Sequence, residues 1–385
     1  MRDRLIALVP FLGAALLGSV APAAASEPMR VAVADGLAAV EVGVADFVTV
    51  LDAGARRPLF GLPGGRIVRV SPAGAGLEVT SGPPAAERRR LAMLGVRLVV
   101  RQGPLRIGPR DFVGAIEVWR NGDGLLVINE LPLEQYVAGT VRAEASEKWP
   151  VEALRAVAVV ARTYAIFHQQ RNPAKLYHLV ASSLHQNFAG RVLEGSPAGE
   201  AARETAGQVL TWQGNVFPAF YHSDSGGFTE PAHLVFSGDG IPPLPGVRDE
   251  FSLDSPNYTW SVTLPLGVVA ERLRQGGVEV GGVTGLTVLE RSGSLRVVRV
   301  AVEHSRGTTA LKGTDFRRLV GYDVLKSTLF VPVLARDGFV RFEGRGWGHG
   351  VGLSQFGAKG MAERGYIYTQ ILEYYYPGAV LVTLR

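Results

Sequence analysis

The stretch WPVEALRAVAVVARTYAIFHQ, residues 149–169, decides the fold class. Val151, Leu154, Val157, Ala158, Ala161, Tyr164 and Ala165 recur at three- and four-residue spacing, which predicts a long helix over about 150–170, buried along one stripe. Pro150 suits the first helical position, where a missing N–H breaks no intrahelical bond, and Glu152 suits the positive end of the helix dipole. Outward from this helix the pattern changes. Before it, from Met29 to about Val118, short β-prone runs such as Val31-Ala32-Val33, Arg66 to Val70 and Val96 to Arg101 alternate with turn clusters, Pro63-Gly64-Gly65 and Gly82-Pro83-Pro84 among them. After it, Ser196-Pro197 opens a shorter helix ending at Gly207, and Gln208–Trp212 and Val216–Tyr221 flank a hairpin turn at Gln213-Gly214-Asn215. More strands and one short helix are expected between Trp260 and Val333. A helix from Ser354 to Arg364 stopped by Gly365, and a last one ending at Pro377-Gly378, close the chain. Strands and helices do not alternate regularly, so the fold class is α+β with antiparallel or mixed sheets.

Composition narrows the function. The chain has 385 residues, 47% hydrophobic and 19% charged, enough for a sizeable core and too apolar for large-scale disorder. It holds no cysteine, which excludes disulfides, a thiolate zinc site and a cysteine nucleophile. Arg2 and Arg4, the apolar run Leu5 to Val20 and Ala23-Ala24-Ala25 read as a signal peptide cleaved before Ser26. The expected organisation is a signal peptide at 1–25, a β-rich accessory segment at 26–111 and a larger domain at 112–385. Export to the periplasm or cell-wall space argues against nucleic acid as a partner, and the formal charge of +5 suits anionic wall or membrane polymers.

Three segments carry candidate chemistry. The first runs from Tyr136 to Pro150, with Glu144 flanked by alanines just before the long helix. Desolvation there would raise the carboxyl pKa, as a general acid requires; a surface loop is the other reading. Glu147, between Ser146 and Lys148, reads as solvated. The second is Tyr221 to Glu230, with Ser223, Ser225, Gly226, Gly227 and Thr229. Its Asp-Ser-Gly-Gly matches a serine-protease nucleophile loop, but no upstream histidine motif accompanies it. A loop offering hydroxyls and backbone N–H groups to a sugar fits better, with a polar turn as the alternative. The third is Gly344 to Ala362, where glycines surround Trp347 and His349, followed by Ser354 and Gln355. An aromatic ring beside hydrogen-bonding side chains suits a pyranose; for His349 a structural role and a catalytic one stand equal. No Gly-Lys-Ser/Thr or dinucleotide spacing supports nucleotide binding, and His178 with His185 lacks the further ligands a metal site needs.

Together, in this order, these segments resemble the SpoIID/LytB family. Pro150 to Tyr164, Tyr221 to Glu230 and Gly346 to Gln355 match its motifs closely, Lys326 to Phe330 and Tyr374 to Gly378 also fit, and the likeness covers roughly Phe112 to Leu384. The resemblance implies a lytic transglycosylase that cleaves the N-acetylmuramic acid–N-acetylglucosamine bond of peptidoglycan and leaves 1,6-anhydro ends, on strands processed by an N-acetylmuramoyl-L-alanine amidase. By position it makes Glu144 the catalytic acid. Tyr164, Ser223, Ser225, Gly226, Gly227, Thr229, Trp347, His349, Ser354 and Gln355 become substrate-binding candidates. Two departures stand out. The family's methionine after the acid is Ala145 here, and the cysteines through which some members bind zinc, around Leu176 to Gly190, are missing, so no metal or other cofactor is expected. The competing functions are a non-catalytic amidase enhancer or peptidoglycan-binding module, and an enzyme acting on another exported polysaccharide.

Overall fold

The computed structural model describes residues 27–82, 86–236, 238, 240–335 and 337–384. The expected signal peptide and the Pro83-Pro84 part of one turn cluster lie outside the described residues. The first half is built on two sheets. A seven-stranded sheet runs in the order 179–180, 29–37, 124–131, 115–121, 95–100, 48–52, 58–62, and a six-stranded sheet runs 110–112, 105–107, 40–44, 66–73, 76–81, 87–91. All pairings are antiparallel except that of Leu179–Val180 with Met29–Leu37. Alternation explains the strands: in Val40–Val44 the three valines are buried while Glu41 is exposed. Val42, Val68 and Val70 from one sheet and Val50, Leu98 and Val118 from the other join a single core. Strands on both sides of residue 112 share the seven-stranded sheet, since Ala115–Asn121 pairs with Gly95–Val100 and Gly124–Leu131 pairs with Met29–Leu37.

Pro132 then opens a helix that the sequence pattern did not announce, α1 (Leu133–Glu144), which ends on the candidate acid. The long helix follows as α2 (Val151–Arg171), with Pro150 at its N-cap rather than inside it. The expectation of one buried stripe is corrected here: every residue from Ala156 to Ile166 is buried. The many alanines and valines leave room for neighbours on all sides, and α1, α3 (Pro197–Glu204, capped by Ser196 as expected), the strand Gln208–Trp212 and the C-terminal helices all pack against α2. Arg162, fully buried, binds these parts together. It donates to both carboxylate oxygens of Glu134 on α1, at 2.9 and 2.6 Å, and to the carbonyls of Ala202 and Gln208 at 3.0 and 3.2 Å.

Between Thr259 and Arg345 the chain forms a second unit with its own core. Two three-stranded sheets, 259–265 with 339–345 and 330–335, and 283–291 with 297–304 and 307–312, enclose Val269, Leu273, Val300, Phe316, Phe330 and Phe342. It carries two helices where one was expected, α4 (Leu266–Gln275) and α5 (Gly313–Val320). The chain then returns to the first core through α6 (Gln355–Glu363), with Ser354 as N-cap, α7 (Tyr368–Tyr375) and the strand Val380–Thr383, which pairs with Gln208–Trp212. The expected hairpin at 213–215 is present, but its second strand is only Asn215–Val216; beyond Pro218, Tyr221–His222 forms a separate short strand that pairs in parallel with Leu353–Ser354. Among the described residues no helix is long and apolar enough to cross a membrane.

Candidate active site

Glu144 sits at the last position of α1, where the helix has its negative pole. A loop is brought onto α1 by Gly139, where a Cβ would stand 2.4 Å from the Phe188 ring and 2.5 Å from the Gly190 carbonyl. That close approach delivers the Asn187 N–H to Glu144 Oε1 at 2.6 Å, while Gln355 Nε2, at the start of α6, donates to Oε2 at 3.2 Å. The Tyr221 phenol faces the same carboxyl without closing a well-formed hydrogen bond. Behind it the buried Tyr136 hydroxyl donates to Gln186 Oε1 at 2.8 Å. Burial pushes the Glu144 carboxyl above the ordinary glutamate range, against the opposing pull of the Asn187 amide and Gln355. Glu147 differs from expectation, since it is half-buried and its Oε1 is out of contact with water.

A groove of about 1420 Å³ runs past this carboxyl, and Tyr164, Ser223, Trp347, His349 and Gln355 line it with Glu144. Trp347 is 39% exposed, with Lys326 Nζ lying 5.2 Å from the centre of its ring, so one face of the indole can meet a sugar. His349 lines the groove, but its Nδ1 accepts from Val351 N–H at 3.0 Å, and burial lowers its pKa to about 3. It is a neutral ring packed on Phe220 and Phe236. Burial likewise raises Tyr164 to about 12, and this phenol packs on His168 and Phe220.

The remaining residues singled out in the sequence stand behind the groove. Ser225 Oγ donates to Asp249 at 2.6 Å and accepts from Gly227 N–H at 3.0 Å. Thr229 Oγ1 accepts from Val247 N–H at 2.7 Å, and Ser354 Oγ caps α6 through Gly357 N–H at 3.1 Å. All three side chains are buried. Gly226 has φ +69 and lies so close to Arg345 and Gly346 that a Cβ would meet Arg345 backbone at 2.8 Å; Gly227 follows with φ +114. These residues clamp the segment 224–230 to the segment 345–350, where Asp224 and Trp347 exchange backbone hydrogen bonds, and thereby aim Ser223 and Trp347 at the groove.

Sequence reasoning missed Asn187, Tyr221 as a neighbour of the acid, and the groove-lining residues Arg171, Lys175, Tyr177, His168 and His185. Burial lowers His168 to about 4. Tyr221 lay inside a motif already noticed; Asn187 had no local signal. Among the described residues no group of three histidine, cysteine, aspartate or glutamate side chains is placed to hold a metal ion.

The family described as Stage II sporulation protein matches residues 121–212, which hold α1, α2, Glu144 and Asn187, and a domain of unknown function matches 248–352, the second unit. The stage II sporulation protein D of Bacillus subtilis is 31% identical over 269 residues, covering 65% of this chain and 74% of that protein. An uncharacterized protein of Brachyspira hyodysenteriae is 29% identical over 71% of this chain and 72% of its own length. The amidase enhancer of Bacillus subtilis is 28% identical over 64% of this chain, but the match spans only 40% of that protein. With a relative above 30% identity matched over three-quarters of its length, and the family's motifs gathered around one carboxyl, the chain belongs to the SpoIID/LytB family.

Proposed function

We propose that this protein is a peptidoglycan lytic transglycosylase with Glu144 as its acid and base. The observation that carries the reading is a single half-buried carboxyl in a groove: Glu144 is the one acidic side chain among the groove's described lining residues. Hydrolases of glycosidic bonds use two carboxyls, the second to activate water or to attack the sugar. One carboxyl suffices if the nucleophile belongs to the substrate. Protonated Glu144 gives its proton to the glycosidic oxygen, and the bond from that oxygen to muramic C1 breaks. The resulting carboxylate is held by Asn187 N–H and Gln355. It then takes the proton of the muramic C6 hydroxyl as that oxygen bonds to C1, closing a 1,6-anhydro ring and restoring the acid. Trp347 offers the platform for a neighbouring sugar.

Arg171 and Lys175 line the groove and make part of it cationic, which suits the lactyl carboxylate exposed once an amidase has removed a stem peptide. This supports action on amidase-processed strands, in the cell-wall space to which such a substrate confines the protein. The names of the relatives, a sporulation protein and an amidase enhancer, agree with work on the wall.

The test is to incubate the chain and its Glu144→Gln variant with intact and amidase-stripped peptidoglycan and to search the products by mass spectrometry for 1,6-anhydromuramic ends. Ends formed by the parent and lost with the variant support the reading. No ends on either substrate, with faster turnover of an added amidase, would replace it with the enhancer function.

A further inference from the structure

A second groove, of about 580 Å³, lies on the inserted unit, away from Glu144. Trp260, Leu329 and Phe330 give it an apolar floor, and Leu295 and Val331 stand half-exposed at its rim. Its charges are unbalanced. Arg341 pairs with Glu343 at 3.1 Å, and Glu343 is the one acid among the described lining residues. Arg291 is fixed in the wall by donating to the carbonyls of Leu295 and Phe330, at 2.6 and 2.9 Å.

Arg345 is the telling residue. Its backbone is anchored on both sides, the N–H donating to Leu329 at 3.0 Å and the carbonyl accepting from Ser327 Oγ at 2.6 Å. Its side chain is only partly exposed, yet among the described residues its guanidinium has neither ion pair nor hydrogen bond. A guanidinium fixed beside apolar surface and left without an acceptor is a site for a carboxylate, which it can meet with two parallel N–H bonds. The unmatched Arg291 and Arg345 together ask for a ligand that is anionic, and the apolar floor and rim ask for one with methyl or methylene groups as well.

We propose that this groove binds a short acidic peptide, of the chemistry that peptidoglycan stem peptides present: free carboxylates spaced by alanyl methyls and an aliphatic diamino acid chain. The inference rests on the peptidoglycan reading of the Glu144 groove and assigns the inserted unit a separate task. Arg345 precedes Trp347 by two residues, with the bend at Gly346 (φ +73) between them, so the two grooves are joined by one short, rigid stretch of chain. Stem peptides on unprocessed wall would be held on one side while a stripped stretch is cut on the other. Two weak sites joined in this way raise retention far above either alone. A phosphate polymer would satisfy the arginines but leave Leu295, Val331 and the floor without partners.

The experiment uses the full chain carrying Glu144→Gln, so that nothing is cleaved, with and without Arg345→Glu or Arg345→Gln. Synthetic L-Ala-γ-D-Glu-diaminopimelate-D-Ala is titrated by calorimetry, and retention on intact and amidase-stripped peptidoglycan is measured by sedimentation. Saturable peptide binding is expected, weakened at least about tenfold by either Arg345 change, the factor that follows from losing one charged contact. Retention on intact wall should fall in parallel, with retention on stripped wall unchanged. No saturable binding of the peptide, equal binding by the Arg345 variants, or binding of a teichoic-type polyphosphate in place of the peptide would overturn the proposal. In the chain with Glu144 intact, absence of anhydro ends alongside peptide binding would instead defeat the cleavage reading and leave this site standing.

Discussion

Replacing Glu144 by glutamine should destroy activity and at the same time stabilise the protein, with a pH dependence whose sign follows from the site. Burial raises the carboxyl's pKa in the folded chain, so its protonated form favours folding. That contribution is complete below the unfolded value, about 4.3, and is lost as pH rises through the folded value. Above that point the chain carries a half-buried anion at the negative end of α1. Its offsets are two hydrogen bonds, from Asn187 N–H at 2.6 Å and Gln355 Nε2 at 3.2 Å. Glutamine keeps the first through its oxygen. It keeps the second if the Gln355 amide turns over to present its own oxygen. Exchanging a charged acceptor for a neutral one forfeits about 1 kcal/mol per bond, whereas effective burial of an ion costs several kcal/mol. The burial term wins. We expect Glu144→Gln to be more stable by about 1–2 kcal/mol near pH 8, a few degrees in Tm, and indistinguishable from the parent near pH 4. Activity should fall by about 10²–10⁴. Thermal melts of both proteins from pH 4 to 8 measure the first effect and anhydro-end formation the second. If the two Tm profiles run parallel across that range, burial does not govern this carboxyl and the argument for a neutral acid fails.

Two further substitutions probe the supports of the site. Gly139→Ala places a methyl against the Phe188 ring and the Gly190 carbonyl; the overpacking should cost about 1–3 kcal/mol. It should also lower activity more than stability, because the displaced loop carries Asn187, and activity and melting measured on one preparation compare the two losses. Arg296→Met removes a buried guanidinium that donates to the Ser225 carbonyl at 2.7 Å and packs on Gly350. The lost charged bond, about 1.5–3 kcal/mol, is offset by removal of the partnerless Nε and Nη1, at about 1–3 kcal/mol each. Urea melts should therefore show little net loss of stability, while anhydro-end formation should fall as the segment carrying Trp347 shifts.

The parts of the fold legible in the sequence are those governed by neighbours along the chain. The period of residues 154–165, Ser196 as an N-cap, and Gly365 as a stop all act within a turn or two, and each stands where expected, whereas Val151, counted in the buried stripe, is exposed. Helix α1 was illegible because its own residues argue weakly for it. Gly139, Thr140 and the β-branched Val137 and Val141 are poor helix formers, and contacts with α2 and α3 hold them in place. The all-round burial of α2 escaped for a related reason: a three- and four-residue repeat marks one face, and Ala156, Val159, Val160 and Ile166 between its positions carry no local sign of the neighbours that cover them. At the site, Glu144, Trp347 and Gln355 could be named from motifs. The motifs could not separate side chains that face the groove from Ser225, Thr229 and Ser354, which hold the loops from behind, because both kinds of residue sit in the same short segments.

What assembles the acid is therefore long-range. Its two hydrogen-bond donors lie 43 and 211 residues along the chain from Glu144, and neither is placed by local preference. A general acid in this position needs opposing influences: an environment that keeps it neutral before the proton moves, and donors that tolerate the anion afterwards. Burial and the helix end supply the first, and Asn187 N–H and Gln355 the second. Were the donors stronger or more numerous, as in a carboxylate held by several backbone amides, they would pull the carboxyl back down and oppose its protonated form. Were they absent, the anion left by proton transfer would have no support while the muramic hydroxyl attacks. The single 2.6 Å backbone bond and the longer 3.2 Å side-chain bond lie between those limits, and Gln355 can also turn, offering a donor to the anion and an acceptor to the acid. The amide side chain next to the acid thus has a role that neither a charged nor an apolar residue could fill.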